Sequence, residues 1–412
     1  MLSLNTSFPS DADTMTSSSN AAASTTVGKK PDLSARVMEW VDALATYSEH
    51  PDDLVVASLT PARQAVADQL KAWMIEVGFD TVSQDTAGNV IGRYLTNAHA
   101  DAKPNAKPNA DSQSPALVST GGHYDTTKEG DRYEGRLGIL LPMAVVGALS
   151  ARGVRLPYDL EVVAFAKKEG ARSDPAGLAH HFEVHIEQGP VLLNRNVPVG
   201  VVTAIAGGVR RLITLTGQAA HAGATPMGVR RDAVCAAAKA LLFVERRSAR
   251  DKGLVGTVGQ LEVPGGAADI VPGTCRFSLD IRAVDDALRD AAVADIDEAI
   301  HEICSRREID VESEEVLRTA ATACSAVHQE AWARAIAAQG VEVCVLPLGS
   351  EHHAAKMAGF TSVSMLVVRS AGASADHPLS ACVSEDDVGV AARVLEHFLL
   401  DGLGVVPPDL TE

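Results

Sequence analysis

Apolar residues recur at helical spacing over residues 33–47 and again over 62–77, where Thr60 and Pro61 supply a cap and a first-turn proline. Both stretches predict amphipathic helices. Residues 137–152 are apolar on nearly every side, which predicts a helix inside a core, and residues 385–400 predict a closing helix. Between them lie short apolar runs at 89–94, 116–120, 160–166 and 363–368, each of strand length. Alternation of strands and helices predicts an α/β fold with a mostly parallel sheet and helices on both faces. Ligands then belong at the carboxyl ends of the strands.

The rhythm changes over residues 208–316. Strands are expected at 211–216, 256–263, 275–282 and 310–316, with helices at 231–248 and 287–306. This strand-helix-strand-strand-helix-strand order predicts a ferredoxin-like α+β unit inserted into the larger domain. Residues 1–30 are rich in Ser, Thr, Asn and Ala and read as a disordered tail, and 97–115, with a repeated Ala-Lys-Pro-Asn, as an exposed loop. The expected domains are thus a tail at 1–30, a discontinuous catalytic domain at 31–207 plus 319–405, and an insert at 208–318.

Composition narrows the function. A chain of 412 residues, 46% hydrophobic, can bury a large core, and its 4% of aromatics leaves that core to Ala, Val, Leu and Ile. A formal charge of −17 argues against nucleic acid and anionic membranes as partners, since both select a cationic face. Cys235, Cys275, Cys304, Cys324, Cys344 and Cys382 include no Cys-x-x-Cys and read as buried free thiols of a reducing compartment. With no transmembrane-length run and no signal pattern, the cytoplasm is the expected location.

The chemistry sits just past several apolar runs. His123-Tyr124-Asp125 follows Gly121-Gly122, Glu134 follows Tyr133, Lys168-Glu169-Gly170 follows the 160–166 run, and His185-Ile186-Glu187-Gln188 precedes Gly189-Pro190. Imidazoles and carboxylates brought to one sheet edge suit zinc and similar divalent cations, and a carboxylate bridging two such ions would hold them about 3.5–4 Å apart. The bland reading of Lys167-Lys168-Glu169 is a solvated charge cluster. His221, amid small residues, is either a carbonyl-polarising group or an ordinary loop histidine; Arg282 either forks onto a substrate carboxylate or pairs with Asp280 or Asp232. His352-His353 and Asp376-His377-Pro378 offer further imidazoles for a second cation.

Taken in order, Gly122 to Thr126, residues 184–192, Gly217 to Met227, residues 256–260 and 270–273 resemble the dinuclear metal-dependent amidohydrolases: allantoate amidohydrolase, N-carbamoyl-L-amino-acid hydrolase and β-ureidopropionase, within the aminoacylase-type metallopeptidase clan. The likeness runs over residues 33–400. It implies a zinc-exopeptidase-like catalytic domain, an inserted dimerisation domain, a homodimer, and two divalent cations, zinc or manganese. It also implies hydrolysis of a small linear amide or ureido substrate with release of ammonia, as in purine catabolism. His123 and His185 would bind one cation, Glu134 would bridge, and Glu169 and His377 would complete the second. Asp125 would orient His123, while His221 would reach a partner subunit's site and Gln188, Arg282 and Asp269 would face the substrate.

Six features depart from the family pattern, two of them being Glu351-His352-His353-Ala354 in place of its Gly-His-Asp-Ala and Asp269 in place of its substrate-binding Asn. Glu134 stands where the family has Asp, Lys168 stands at its general-base position, and Asp376-His377 is shifted by one residue at the terminal ligand. In addition, about fifty residues expected between Gly170 and His185 are missing, more than ordinary loop variation removes. An impaired family member with a binding role, retaining one cation, is the alternative reading; an aminoacylase or dipeptidase is a third, less well matched by the His-Ile-Glu-Gln-Gly-Pro segment.

Overall fold

The structure is a computed structural model that describes residues 32–49, 56, 60–100, 115–126, 132–167, 177–370, 382–401 and 403. Within them the larger sheet has nine strands. Across it lie Thr81–Gln84, Val90–Tyr94, Asp159–Phe165, Leu117–His123, Leu178–Ile186, Ser362–Val368, Val199–Ile205 and Thr322–Ala323, with Val345–Leu348 also paired to Val199–Ile205. Asp159–Phe165, Leu117–His123, Leu178–Ile186 and Ser362–Val368 are mutually parallel, so their carboxyl ends share one edge.

Side chains alternate across this sheet, and each strand therefore feeds two cores. From Ser362–Val368, Leu366 and Val368 pack into a core with Trp40, Leu140, Trp332 and Phe398, whereas Val363, Met365 and Val367 pack with Leu192, Ala354 and Met357. The first core takes the helices Leu33–Ala45, Pro61–Glu76, Leu137–Ala151, Ala326–Ala337 and Glu385–Leu400. Leu137–Ala151 is buried from Leu137 through Val146, as its unbroken apolar run requires. Each large aliphatic side chain so buried stabilises the fold by about 1.5–3 kcal/mol before entropy is counted.

Leu178–Ile186 lies inside the sheet although its sequence hides it. His180, His181, Glu183 and His185 interrupt the apolar run that marks its neighbours, yet all four are buried. At its start is a polar cluster remote from the strand's carboxyl end. The His180 ring stacks on His328 at 3.5 Å between centroids and bonds Ser362 Oγ and Ser364 Oγ, both at 2.9 Å. His328 Nδ1 meets Ser325 Oγ at 2.8 Å.

The second sheet runs Leu261–Glu262, Thr274–Ala283, Gly207–Thr216 and Asp310–Thr319, with Leu254–Thr257 beside Thr274–Ala283; every pairing is antiparallel. Helices Ala233–Arg250 and Asp286–Ser305, capped by Asp232 and Asp285, pack over it through Ala237, Phe277, Ile281, Ile296 and Ile300. This is the ferredoxin-like arrangement. The single strand expected at 256–263 is instead two short ones, separated by Val258, Gly259 and Gln260.

Three smaller expectations meet different outcomes. A short helix, Asn97–Ala100, opens the stretch read as loop, and residues 101–114 lie outside the described residues, as does the 1–30 tail. Cys275, Cys304, Cys324 and Cys344 are buried free thiols, but Cys235 and Cys382 are exposed: Cys235 lies on the outer side of the amphipathic helix Ala233–Arg250, and Cys382 stands outside any strand or helix. No helix among the described residues is long and apolar enough to cross a membrane.

Candidate metal centre

His123 is the last residue of its strand and His185 the penultimate residue of the next. The two strands pair in parallel only as far as Thr120 and Phe182. Beyond that point the start of helix Leu137–Ala151 approaches both: a Cβ on Gly138 would lie 2.7 Å from the Gly121 and Val184 carbonyl oxygens alike. The preceding turn carries Glu134 and is seated by Gly135 at φ +71°, directly against His123. A Cβ on Gly122 would lie 2.0 Å from the Gly135 carbonyl oxygen. Gly122→Ala should therefore cost about 1–3 kcal/mol or more through overpacking, read as a lower urea unfolding midpoint.

One donor atom from each of His123, Glu134 and His185 lies within 4.8 Å of the others. The rings are fixed by their second nitrogens. His123 Nδ1 bonds Asp125 Oδ1 at 3.0 Å and the Asp125 carbonyl at 3.1 Å, and His185 Nδ1 bonds the Ile186 carbonyl at 3.0 Å. In each case a carbonyl acceptor places the proton on Nδ1 and leaves the Nε2 lone pair for a ligand. His123 Nε2 is buried and has no hydrogen-bond partner among the described residues. An orphaned ring nitrogen beside a second imidazole and a carboxylate is the donor set of a borderline divalent cation, so these residues fit one. Burial, and then the neighbouring His352, push His185 below the ordinary histidine range, which favours the neutral form that binds metal.

Asp125 meets the cluster through the His123 ring. Asp125→Ala should weaken divalent-cation affinity about 10- to 100-fold, measured by competition with a chromophoric chelator.

The late histidines stand beside the cluster without joining it. His353 stacks on Phe165 at 4.1 Å with Nε2 3.3 Å from the Lys167 carbonyl, and burial pushes it down to about 4. His352 meets His185 edge-on at 4.6 Å, shares a 2.9 Å hydrogen bond with Ser350 Oγ, and has Nδ1 3.8 Å from Glu183 Oε1. Glu183, which also accepts the Ala354 N–H at 2.9 Å, was not singled out by motif. Its signal is a period-two row of polar residues, His181, Glu183 and His185, on one face of a central strand.

Glu187 faces inward rather than lining the exposed turn that Gly189-Pro190 suggested. Its carboxylate accepts the Val191 and Leu192 N–H groups, both at 2.7 Å, and so caps the short helix Val191–Arg195. Gln188 points the other way, and its Nε2 donates to Glu134 Oε1 at 3.1 Å.

Arg282 makes both contacts its surroundings offer. Its Nε and Nη2 donate to Asp280 at 2.7 and 2.8 Å, and Nη1 to the Gly349 carbonyl at 2.6 Å, three residues before His352. Arg210 shares the same Asp280 at 3.0 Å, so two guanidiniums face one carboxylate. The pair lines a groove of about 820 Å³ with Thr257, Gln260 and Gly349. His221 lies apart from the cation cluster, on the exposed ribbon of Ala220–His221 and Ile270–Val271. Its Nδ1 accepts the Gly223 and Ala224 N–H groups at 3.1 and 3.2 Å, which leaves the proton on Nε2. The Asp269 carbonyl accepts the Ala222 N–H at 2.8 Å, so the backbone of Asp269 braces this loop. Lys168, Glu169, Asp376 and His377 lie outside the described residues.

Two parallel strands that carry tautomer-fixed imidazoles at their carboxyl ends, beside a turn that carries a carboxylate, define an α/β protein with a group of side chains that could hold a metal ion. Residues 95–401 match the family model described as Peptidase family M20/M25/M40, and the chain belongs to that family. It is 31% identical over 388 residues to the N-carbamoyl-L-amino acid amidohydrolase of Geobacillus stearothermophilus, covering 82% of this chain and 91% of that protein. The allantoate deiminase of Arabidopsis thaliana is 27% identical over 460 residues, covering 91% and 84%. Among solved structures, an amidase of the hydantoinase/carbamoylase family from Burkholderia multivorans superposes with a TM-score of 0.79 at 26% identity, covering 91% of this chain and 98% of that one.

Proposed function

We propose that this chain is a metal-dependent hydrolase of linear amide and ureido C–N bonds, releasing ammonia from small N-carbamoyl amino acid or allantoate-type substrates. The observation that carries the reading is the buried Nε2 of His123, without a hydrogen-bond partner among the described residues, close to donor atoms of His185 and Glu134. The relatives named above are hydrolases of such bonds, and nothing supports the alternative of an impaired, purely binding member.

His123, Glu134 and His185 would hold a divalent cation, zinc or manganese, and Glu134, Glu169 and His377 a second. When bound, the cation would supply Lewis-acid polarisation of the scissile carbonyl and of water. Around it the protein does the positioning. Asp125 and the Ile186 carbonyl hold the two imidazoles in the ligating tautomer. Arg282, with Arg210, lines the groove in which a substrate carboxylate docks. His221 offers an Nε2–H to the substrate carbonyl of a partner subunit in a homodimer built through the 208–318 insert. Gln188 and Asp269 face the substrate, and Lys168 occupies the general-base position. The enzyme works in the cytoplasm.

The test is ammonia release from allantoate and a panel of N-carbamoyl amino acids with added Mn²⁺ or Zn²⁺, together with metal analysis of the purified chain. Release from at least one substrate, lost on chelation, is expected; silence across the panel with either metal overturns the reading.

A further inference from the structure

We propose that Gln188 is a positioning residue for the ligand Glu134, and that the extra methylene of Glu134 is what brings the two together. The inference rests on the reading that Glu134 binds a cation.

Both backbones are fixed before the side chains meet. The Glu187 N–H donates to the Val368 carbonyl at 2.8 Å, extending the parallel pairing one residue past the strand, while the Glu187 carboxylate caps Val191 and Leu192. Gln188 thus follows directly on a residue held through both its backbone and its side chain. On the other side the 134–136 turn is seated against His123 through Gly135. The 3.1 Å bond from Gln188 Nε2 to Glu134 Oε1 joins these two fixed points.

A neutral amide suits this task. It restricts the carboxylate's rotation without cancelling the charge a cation needs, and ligating carboxylates depend on such partners for orientation. Aspartate at 134 would withdraw the carboxylate by about 1.5 Å, one carbon–carbon bond, and break the contact. Lengthening the ligand and engaging Gln188 are therefore one structural change. An amide committed to Glu134 also presents less of itself to substrate.

The experiment is a double-mutant cycle on cation affinity, using Zn²⁺ and Mn²⁺ in competition with a chromophoric chelator, for the parent, Gln188→Ala, Glu134→Asp and the double variant. Gln188→Ala should weaken binding about 10-fold or more in the parent and have no effect in the Glu134→Asp background. Unchanged affinity with a raised KM assigns Gln188 to substrate alone and overturns the proposal, as does an equal effect in both backgrounds. His123→Ala is the control: affinity equal to the parent's would overturn the metal site itself, whereas a weakened His123→Ala beside an unaffected Gln188→Ala removes only this inference.

Discussion

Replacing His123 with Ala should strip the chain of tightly bound divalent cation and lower kcat/KM on its best ureido substrate by about 10³-fold or more. A bound cation contributes several kcal/mol of transition-state stabilisation, and each 1.36 kcal/mol is a factor of ten. His123 ends a central strand, its ring is buried, and its Nε2 has no hydrogen-bond partner among the described residues. Removing it takes away a ligand whose orientation the fold has already fixed. Loss on this scale, larger than the effect of Asp125→Ala, separates the ligand from the residue that orients it. Metal analysis and steady-state kinetics on the same preparation check the expectation. Full stoichiometry with kcat/KM within tenfold of the parent would sink it.

Acid should destabilise the fold steeply, starting below about pH 6.5. His180 is held well below the ordinary histidine range, first by burial and then by the facing His328 and by His181; burial lowers His328 as well. Neutral in the folded chain, both take up a proton on unfolding once the pH is below the unfolded value of about 6.5. The unfolded state then binds more protons, so stability rises with pH through this window and levels off above about 7. Each histidine contributes a slope approaching about 1.4 kcal/mol per pH unit. Their hydrogen-bond partners, Ser325, Ser362 and Ser364, are neutral hydroxyls that cannot compensate a second charge. Urea unfolding at pH 7.5, 6.5 and 5.5 should show the decline, and His328→Phe should reduce its slope by about one proton. An identical slope in parent and variant would assign the acid sensitivity elsewhere. The comparison cancels His185 and His353, which are also lowered but remain in both proteins.

The regular elements were legible because their burial is one-sided or complete. Helices such as Pro61–Glu76 and Glu385–Leu400 carry both a periodic apolar face and a cap, from Thr60 and Ser384. The strand Leu178–Ile186 was not legible, since buried polar residues there find partners only in the folded sheet: His180 on two serines of a strand far away in sequence, Glu183 on the Ala354 N–H. Spacing in the sequence cannot show such pairing. His123, Glu134 and His185 could be picked out together because two of them end parallel strands and the third stands in the turn before a helix, where the fold class itself directs ligands. The inward turn of Glu187 was not, because a carboxylate beside Gly-Pro looks the same in sequence whether it caps a helix or meets solvent.

The helix Leu137–Ala151 has a bearing on how the chain is made. Its apolar surface is closed on one side by the sheet and on others by Leu33–Ala45 and Glu385–Leu400. Emerging from the ribosome, it must wait for some 250 further residues, at ~5–20 residues per second, before its last cover exists. For that interval an uncharged cylinder stands partly bare, a surface of the kind that chaperones hold and aggregates seed. Synthesis is therefore a period of exposure for this molecule, and it closes only with the final helix.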